Sequence, residues 1–469
     1  MAHSFVVVGG GIAGLTTAFE LMERTGDRAD APQVLCLEAA PQAGGKVRTD
    51  QASGFLCEWG PNGFLDNAPA TGDLIRRLGL QDRVQPSHSA AVRRYVYRGG
   101  RLHPVPTGLG AFLASGMLTW REKLRLAVEG LQPRRRDAGD ESILEFASRR
   151  IGRSTASVMV DAMVSGIYAG DARVLSLAAT FPGMAAMERD HGSLTRALLA
   201  KRKGADAVAG PARGRLTSFK GGMQDLIDGL TRALGPRLRT GAAVREVTRR
   251  DGTFALRLDD GTSLAVDRVA LTVPAWNAAP MVGALSPDLA NVLAEIPSAP
   301  VVVCHLGFEQ ADVAGMPEGF GFLIPRSEGL RLLGVLWTSS IFPGRAPAGK
   351  ALYTCMLGGA RDAESLDWPD EKVLTTVLDE LHTTQHLHAT PLFTRIVRHR
   401  HGIPQYTLGH LDRLARAEAA LAHCPGLHLG GNSYRGVSAN DCIRHAATTA
   451  ERLLSSKGSR TSAFSDGPS

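Results

Sequence analysis

A short apolar run, a glycine turn and a helical pattern open the chain. Residues Phe5 to Val8 are apolar without interruption, and residues 12–20 continue as a helical pattern after the glycines. Further along, the sequence predicts helices at 71–78 and 224–234 and strands at 33–37, 243–247, 254–258, 268–273 and 427–429. This mixture of strands and helices predicts an α/β fold.

The turn between the first strand and the first helix carries a dinucleotide-binding pattern. Gly9, Gly11 and Gly14 have the G-x-G-x-x-G spacing in the required strand–turn–helix context. The first glycine allows the tight turn, the second lets the backbone approach a pyrophosphate, and the third lets the helix pack on the strand. Glu38 ends the second predicted strand, where an acid binds a ribose hydroxyl. We therefore predict a Rossmann-like dinucleotide site at this turn.

Composition and charge narrow the class of protein. The chain has 469 residues, of which 44% are hydrophobic and 21% charged, so we expect a globular protein of two or three domains. The net charge of +7 fits an anionic small molecule or a membrane surface as well as nucleic acid. No nucleic-acid-binding motif is present, so we expect no nucleic-acid partner.

The cysteines and the apolar runs indicate the compartment. Six cysteines lie far apart without a C-x-x-C pair, which favours free thiols in a reducing compartment over disulfides or a metal site. No apolar run is long enough for a transmembrane helix, and the first strand begins too early for a signal peptide. We expect a cytoplasmic protein and leave open a peripheral contact with the inner face of the membrane and a homodimer.

The segment after the second strand carries a further motif. It reads LEA at 37–39 and GGKVRT at 44–49, and it resembles the second signature of the flavin amine oxidase and porphyrinogen oxidase superfamily. The resemblance implies bound FAD. The residues implied or predicted to hold it are Gly9, Gly10, Gly11, Ile12, Ala13, Gly14, Glu38, Ala39, Gly45, Lys46, Arg48, Trp59, Gly60, Pro61, Asn62, Val244, Gly436, Val437 and Ser438.

Later blocks resemble the protoporphyrinogen oxidase family within that superfamily. They read EWGPNGF at 58–64, RYVYRGGRLHPVP at 94–106, GIYAGD at 166–171, IPQYTLGH at 403–410 and GVSANDCI at 436–443. The resemblance implies that Arg94 pairs with a substrate propionate, with Arg93 as the fallback, and that the Gly166 carbonyl faces the pyrroles. The full set of implied substrate contacts is Asn62, Arg94, Gly166, Phe320, Leu323, Leu336 and Met356. Asn440 or Asp441 is a plausible N-cap for the last helix.

The implied activity is the oxidation of protoporphyrinogen IX to protoporphyrin IX in three two-electron rounds, with FAD reoxidised by molecular oxygen. The near alternative is a coproporphyrinogen III oxidase of the same fold, whose pocket for four propionates should be more basic. A flavin amine oxidase and a non-catalytic tetrapyrrole carrier are more distant alternatives. No side chain is identified as a catalytic acid or base, which fits an enzyme whose cofactor carries the chemistry. Relatives often carry an aromatic residue near the flavin where this chain has Val397 to His401, so what covers the flavin ring stays open.

The motifs also predict the domain organisation. We expect a discontinuous FAD-binding domain at 1–75, 217–275 and 424–455 and a mixed α/β substrate-binding domain at 76–90 and 276–423. Residues 91–216 should form a mostly helical, membrane-associated domain, and 456–469 a disordered tail. Apolar residues at helical spacing in 111–131 fit a core-facing helix, although Trp120 and its basic neighbours also suit a membrane interface.

Overall fold

The computed structural model describes residues 4–26, 32–106, 109–135, 139–203 and 214–455. The predicted disordered tail at 456–469 lies outside the described residues. The strands are β1 Ser4–Val8, β2 Gln33–Leu37, β3 Thr49–Ala52, β4 Phe55–Glu58, β5 Phe64–Leu65, β6 Val84–Pro86, β7 Arg94–Arg98, β8 Arg101–Pro104, β9 Leu216–Phe219, β10 Leu238–Arg239, β11 Val244–Arg250, β12 Thr253–Leu258, β13 Ser263–Val266, β14 Arg268–Leu271, β15 Ser298–Glu309, β16 Gly321–Leu323, β17 Gly334–Leu336, β18 Lys350–Gly358, β19 Phe393–Pro404 and β20 Leu427–Leu429.

The helices alternate with these strands in the first and last parts of the chain and cluster in between. They are α1 Ile12–Thr25, α2 Pro69–Arg77, α3 Leu109–Ala114, α4 Trp120–Ala127, α5 Ile143–Ile151, α6 Arg153–Thr155, α7 Asp161–Tyr168, α8 Leu177–Thr180, α9 Pro182–His191, α10 Leu194–Lys203, α11 Gln224–Leu234, α12 Ala275–Met281, α13 Pro287–Ala294, α14 Thr338–Ile341, α15 Asp370–Gln385, α16 His410–Ala422 and α17 Ala439–Ser455.

A five-stranded parallel sheet with β1 at its centre organises both ends of the chain. Its strand order is β10-β2-β1-β14-β20, and every pairing is parallel. A hydrophobic cluster that includes residues of α1, α11 and α17 packs on one face, and another that includes residues of α12, α13 and α16 packs on the other. A strand buried on both faces must be apolar throughout, which explains the uninterrupted run at the start of the chain. The predicted α/β fold is confirmed.

A small antiparallel sheet of β11, β12 and β13 follows α11. The two hairpins turn at 251–252 and 260–261, where Asp-Gly pairs supply the positive φ that tight turns require. The strands predicted at 243–247 and 254–258 are present, and β13 is a strand that the sequence prediction missed.

A seven-stranded sheet carries the middle of the chain, in the order β19-β15-β18-β17-β16-β7-β8. β15 lies between β18 and β19, antiparallel to both, and the parallel pairing of β7 with β16 joins residues 94–104 to this sheet. The segment expected to be mostly helical from residue 91 therefore begins with two strands. The helices follow from α3 onward.

The apolar stripe predicted over 111–131 is not one helix. α3 ends at Ala114, α4 begins at Trp120, and the intervening Ser115-Gly116-Met117 breaks the helical path. Thr119 and Glu122 form a reciprocal capping box that starts α4. No helix among the described residues combines the length and apolarity needed to cross a bilayer.

Candidate active site

The glycine turn after β1 has the geometry that its sequence predicts. Gly9 has a φ of +108° and donates its amide to the Leu37 carbonyl at 2.7 Å. A Cβ atom on Gly14 would lie 1.8 Å from the Gly9 carbonyl oxygen, so only glycine lets α1 approach the turn this closely. A Cβ atom on Gly11 would meet nothing within 4 Å. Open space therefore lies beside the start of α1, where Ile12 and Ala13 are buried.

The second motif lies directly against this turn. The Gly44 amide donates to the Gly10 carbonyl at 2.8 Å, and a Cβ atom on Gly45 would lie 3.4 Å from the Gly11 Cα. Glu38, followed by the exposed Ala39, accepts from the Gly10 amide at 2.6 Å and from the Ala40 amide at 2.8 Å. A carboxylate is stabilised at such a helix start by the unpaired amides and the helix dipole.

The residue at the start of β11 lies on the same side of the sheet. Val244 is buried, and the Ala242 amide two residues earlier donates to the Glu38 carbonyl at 2.8 Å. The structure thus brings Val244 close to the end of β2, as an adenine contact would require.

Lys46 and the EWGPN segment form the next wall. The Lys46 ammonium donates to the Gly402 carbonyl at 2.6 Å, and burial lowers the pKa of Lys46 to about 8. A Cβ atom on Gly60 would lie 2.5 Å from the Lys46 carbonyl oxygen, so glycine is needed for this close approach. Pro61 follows and is partly buried.

Trp59 carries several contacts on this wall. The Arg48 guanidinium lies over its indole at 4.3 Å from the ring centroid, and the Trp59 carbonyl accepts from His399 at 2.7 Å. Burial lowers the pKa of His399. Among the described residues, neither the buried indole nitrogen of Trp59 nor the buried amide oxygen of Asn62 has a hydrogen-bond partner. Buried polar atoms without partners are rare in folded proteins, so a missing ligand is a natural explanation.

The start of α17 differs from its prediction in one detail. Ser438 is the N-cap, because its hydroxyl accepts from the Asp441 amide at 3.1 Å and donates to the Asp441 carboxylate at 2.6 Å. The prediction of Asn440 or Asp441 was wrong. Asn440 instead donates to the Leu65 carbonyl at 2.9 Å. Gly436 has a φ of +67°, and Val437 and Ser438 lead into the helix.

Three of the predicted substrate contacts meet in one apolar cluster. Phe320, Leu336 and Met356 belong to it together with Ile341 and Phe342. These residues come together because β16, β17 and β18 are neighbouring strands in the seven-stranded sheet. Arg94 is the first residue of β7, which pairs with β16 on the other side.

Arg94 and the residue before it, Arg93, differ in their partners. The Arg93 guanidinium donates to the Glu318 carboxylate at 2.9 Å. The Arg94 guanidinium lies over the Phe320 ring at 4.8 Å and has no hydrogen bond or ion pair to any described residue. Its side chain is accessible to solvent, yet the surrounding protein desolvates it and lowers its pKa. Arg94 is therefore a charged group on a partly apolar surface.

Gly166 and Leu323 form the opposite side of this region. A Cβ atom on Gly166 would lie 2.7 Å from the Leu323 Cδ2 atom. A larger residue at position 166 would therefore require the Leu323 side chain to move.

Comparison with known proteins places this arrangement in a family. The model of the flavin-containing amine oxidoreductases matches residues 12–454. The chain belongs to this family. It is a flavin-containing oxidoreductase, and the resemblance drawn from its motifs is confirmed.

Relatives of known name include two kinds of porphyrinogen oxidase. The coproporphyrinogen III oxidase of Bacillus subtilis is 30% identical over 93% of this chain and 95% of its own length. The human protoporphyrinogen oxidase is 32% identical over 97% of this chain and 99% of its own length. The crystal structure of a provisionally assigned protoporphyrinogen oxidase from Exiguobacterium superposes with a TM-score of 0.82 and 28% identity, covering 97% of this chain and 99% of that one.

The IPQYTLGH block of this flavin-family chain ties three parts of the fold together. The Gln405 side chain donates to the Tyr168 carbonyl at 2.8 Å, and the Tyr406 hydroxyl donates to the Asn432 carbonyl at 2.5 Å. His410 bonds to the Tyr434 carbonyl at 2.9 Å. The block thus links α7 and the loop after β20 to the end of β19. The sequence motif identified this segment as characteristic of the family. It did not predict the contacts of the side chains, which are made to residues distant in the sequence.

A buried polar group beneath the EWGPN segment was also missed. Glu58 accepts from the Met223 amide at 2.9 Å and the Thr49 hydroxyl at 2.7 Å, and its carboxylate lies 3.5 Å from the Arg345 guanidinium. His305 bonds to the Glu58 carbonyl at 3.1 Å, and burial lowers its pKa to about 4. These contacts of Glu58 hold the end of β4 and hence the position of the neighbouring Trp59. Glu58 stands in the motif, whereas Arg345 and His305 carry no local signal.

Proposed function

We propose that this flavoprotein binds FAD and oxidises protoporphyrinogen IX to protoporphyrin IX, with molecular oxygen as the final acceptor. The observation that carries the proposal is Arg94, whose guanidinium lies over Phe320 at the edge of an apolar cluster without a carboxylate partner among the described residues. A large apolar substrate with a few carboxylates needs this combination of surfaces.

The residues present fit FAD. The open space beside Gly11 gives room for a diphosphate at the helix start, and Glu38 stands where a ribose hydroxyl would bind. The buried indole nitrogen of Trp59 and the amide oxygen of Asn62 are free to bond the cofactor. Lys46 and Arg48 would place positive charge near it, and Val437 and Ser438 would border its ring. FAD, when bound, supplies the two-electron oxidation.

The chain's own residues bind and orient the substrate. Arg94 would hold a propionate, because a guanidinium stays charged at working pH and its planar fork matches a carboxylate. Phe320, Leu323, Leu336 and Met356 would contact the macrocycle and exclude water. The Gly166 carbonyl would face the pyrrole nitrogens.

The partners of Arg93 and Arg94 favour the substrate with two propionates over the one with four. Arg93 is held by Glu318, which leaves Arg94 as the arginine of this pair that can bind a substrate carboxylate. The coproporphyrinogen III oxidase of Bacillus subtilis is nevertheless about as similar to this chain as the human protoporphyrinogen oxidase. Coproporphyrinogen III is therefore the second candidate substrate.

Initial rates on the two porphyrinogens test the proposal, with porphyrin formation followed by fluorescence. We expect kcat/KM to be higher for protoporphyrinogen IX, and Arg94→Ala to raise its KM about tenfold or more while FAD stays bound. Arg93→Ala is the matched control at the preceding residue and should leave KM within about twofold. Equal effects of the two substitutions would remove Arg94 from the site. A higher kcat/KM for coproporphyrinogen III would select the second candidate.

We further propose that the α3–α4 region rests on a membrane surface, with the rest of the protein in the cytoplasm. Trp120, Leu124 and Leu131 are 71%, 68% and 77% exposed. The Lys123 ammonium lies 4.7 Å from the centroid of the Trp120 ring and donates to the Leu113 carbonyl. Arg121 is exposed beside them, and exposed apolar side chains next to a basic residue suit the interface of an anionic bilayer.

A further inference from the structure

A cavity lies at the free edge of the five-stranded sheet, between α16, β20 and α17. Its volume is about 450 Å³, which is within the range of small-molecule sites. It is lined by part of the α16–β20 region, including Leu414, Glu418, residues 424–431 and Arg435, and by His445, Thr448, Thr449 and Arg452 of α17. None of the residues predicted to hold the flavin or the substrate lines it.

The floor of this edge cavity is aliphatic. Leu414, Ala417, Leu421, Leu427 and Leu429 line it, together with Cys424. β20 is the outermost strand of its sheet, and no further strand of the described segments covers this side. The floor suits an aliphatic chain rather than a polar ligand.

Two buried polar atoms in the lining residues lack partners. The Tyr434 side chain is 8% exposed, and its hydroxyl has no hydrogen bond to any described residue. The His428 Nε2 atom is likewise buried and without a partner. Leaving a buried donor or acceptor unsatisfied costs about 1–3 kcal/mol, so a ligand that bonds these atoms would gain affinity.

The rim of the cavity carries positive charge. Glu418 is neutralised by Arg435, whose guanidinium donates to its carboxylate at 3.0 Å. Arg452 forms no ion pair with a described residue. Burial, together with the charge of Arg452, lowers the pKa of His428 to about 4, which places the two side chains in one electrostatic environment. The cavity therefore presents an aliphatic floor beneath a free guanidinium.

We propose that the edge cavity binds a medium-chain aliphatic carboxylate, with the chain on the leucine floor and the carboxylate at Arg452. The guanidinium supplies the charge and the planar donors that a carboxylate requires. The volume is sufficient for a medium-length chain. Its lining shares no residue with the proposed flavin and porphyrinogen sites.

Calorimetric titration of the flavin-loaded protein tests the site, with sodium decanoate as the probe. We expect one decanoate per chain to bind without loss of flavin. Decanol and acetate should each bind with an affinity at least about tenfold lower than that of decanoate. Arg452→Gln should weaken decanoate binding about tenfold. Arg416→Gln is the control, because Arg416 lies on α16 outside the cavity and pairs with Glu295 at 2.7 Å.

A second variant locates the ligand. Thr448 is exposed at the cavity mouth, so Thr448→Trp should fill the mouth and remove decanoate binding while the melting temperature and flavin content stay unchanged. Equal decanoate affinity in wild type and Arg452→Gln, equal affinity for decanol and decanoate, or binding that disappears when flavin is loaded would each overturn the proposal. Tighter binding of decyl phosphate than of decanoate would indicate a lipid-type phosphate as the ligand and would also overturn the proposal.

Discussion

Gly166 and Leu323 lie so close that a Cβ atom on Gly166 would be 2.7 Å from the Leu323 Cδ2 atom. The leucine has little room to retreat, because a Cβ atom on Gly334 would be 2.9 Å from the same Cδ2 atom. We expect Gly166→Ala to destabilise the protein by about 1–3 kcal/mol through overpacking and to raise KM for the porphyrinogen.

The double variant Gly166→Ala/Leu323→Ala tests this contact. Removing the leucine branches should make room for the added methyl group, so the double variant should be less destabilised than the sum of the two single substitutions. Thermal unfolding and initial rates measure both effects. Simple additivity of the two single substitutions would show that the two residues do not press on each other.

Gly11 offers a test of the cofactor site that does not disturb the fold. A Cβ atom there meets no protein atom within 4 Å, and the backbone φ of −74° suits any residue. We therefore expect Gly11→Val to fold normally but to be purified without flavin. Gly72→Val on α2 is the control, because its Cβ also meets nothing within 4 Å. A yellow Gly11→Val protein would contradict the placement of the diphosphate.

The lowered pKa of Lys46 leads to a prediction of how FAD affinity depends on pH. Burial lowers the pKa of Lys46 to about 8 in the protein without cofactor. A nearby phosphate would favour the charged ammonium and raise this pKa, so binding above pH 8 would take up a proton. FAD affinity should then fall as the pH rises from 8 to 10, as measured by quenching of flavin fluorescence.

The pH effect should disappear when the lysine is removed. Lys46→Met should bind FAD more weakly at pH 8, with little further change toward pH 10. Lys350→Met is the control, because Lys350 pairs with Glu309 on the seven-stranded sheet. A wild-type affinity that stays constant over this range would separate Lys46 from the cofactor phosphates.

The membrane proposal makes a prediction about vesicle binding. Trp120→Ser/Leu124→Ser removes two apolar side chains that are 71% and 68% exposed, so folding should be unaffected. Burying side chains of this kind is worth about 1.5–3 kcal/mol each, so binding to anionic vesicles should fall about tenfold or more. Leu392→Ser, at a site 55% exposed on another part of the chain, should bind as wild type. Equal vesicle binding by all three proteins would exclude this face as the membrane contact.

Local sequence patterns predicted the parts of the fold that depend on local physics. The turn at Gly9 and the hairpins at residues 251–252 and 260–261 need only residues that tolerate positive φ. The six described cysteines are free, as their spacing predicted. The N-cap of α17 was misassigned because three of four successive residues, Ser438 to Asp441, are capping types, and the choice among them depends on the backbone conformation.

The substrate region could be predicted only in outline. The choice between Arg93 and Arg94 depends on Glu318, more than 200 residues away along the chain. The pairing of Arg94 with Gly321 that adds β7 to the seven-stranded sheet is equally remote. The contact of His399 with the Trp59 carbonyl likewise joins distant segments. Such contacts follow from tertiary packing, which single-sequence patterns do not encode.

Anaerobic mixing of the purified, FAD-loaded protein with protoporphyrinogen IX tests the central claim most directly. Flavin absorbance and porphyrin fluorescence are recorded together, and oxygen is then admitted. We predict loss of the oxidised-flavin absorbance on anaerobic mixing, because each flavin accepts two of the six electrons. Admission of oxygen should restore this absorbance and, through the remaining rounds, produce the porphyrin fluorescence. A protein that takes up no FAD, or whose flavin stays oxidised in the presence of both porphyrinogens, would contradict the account.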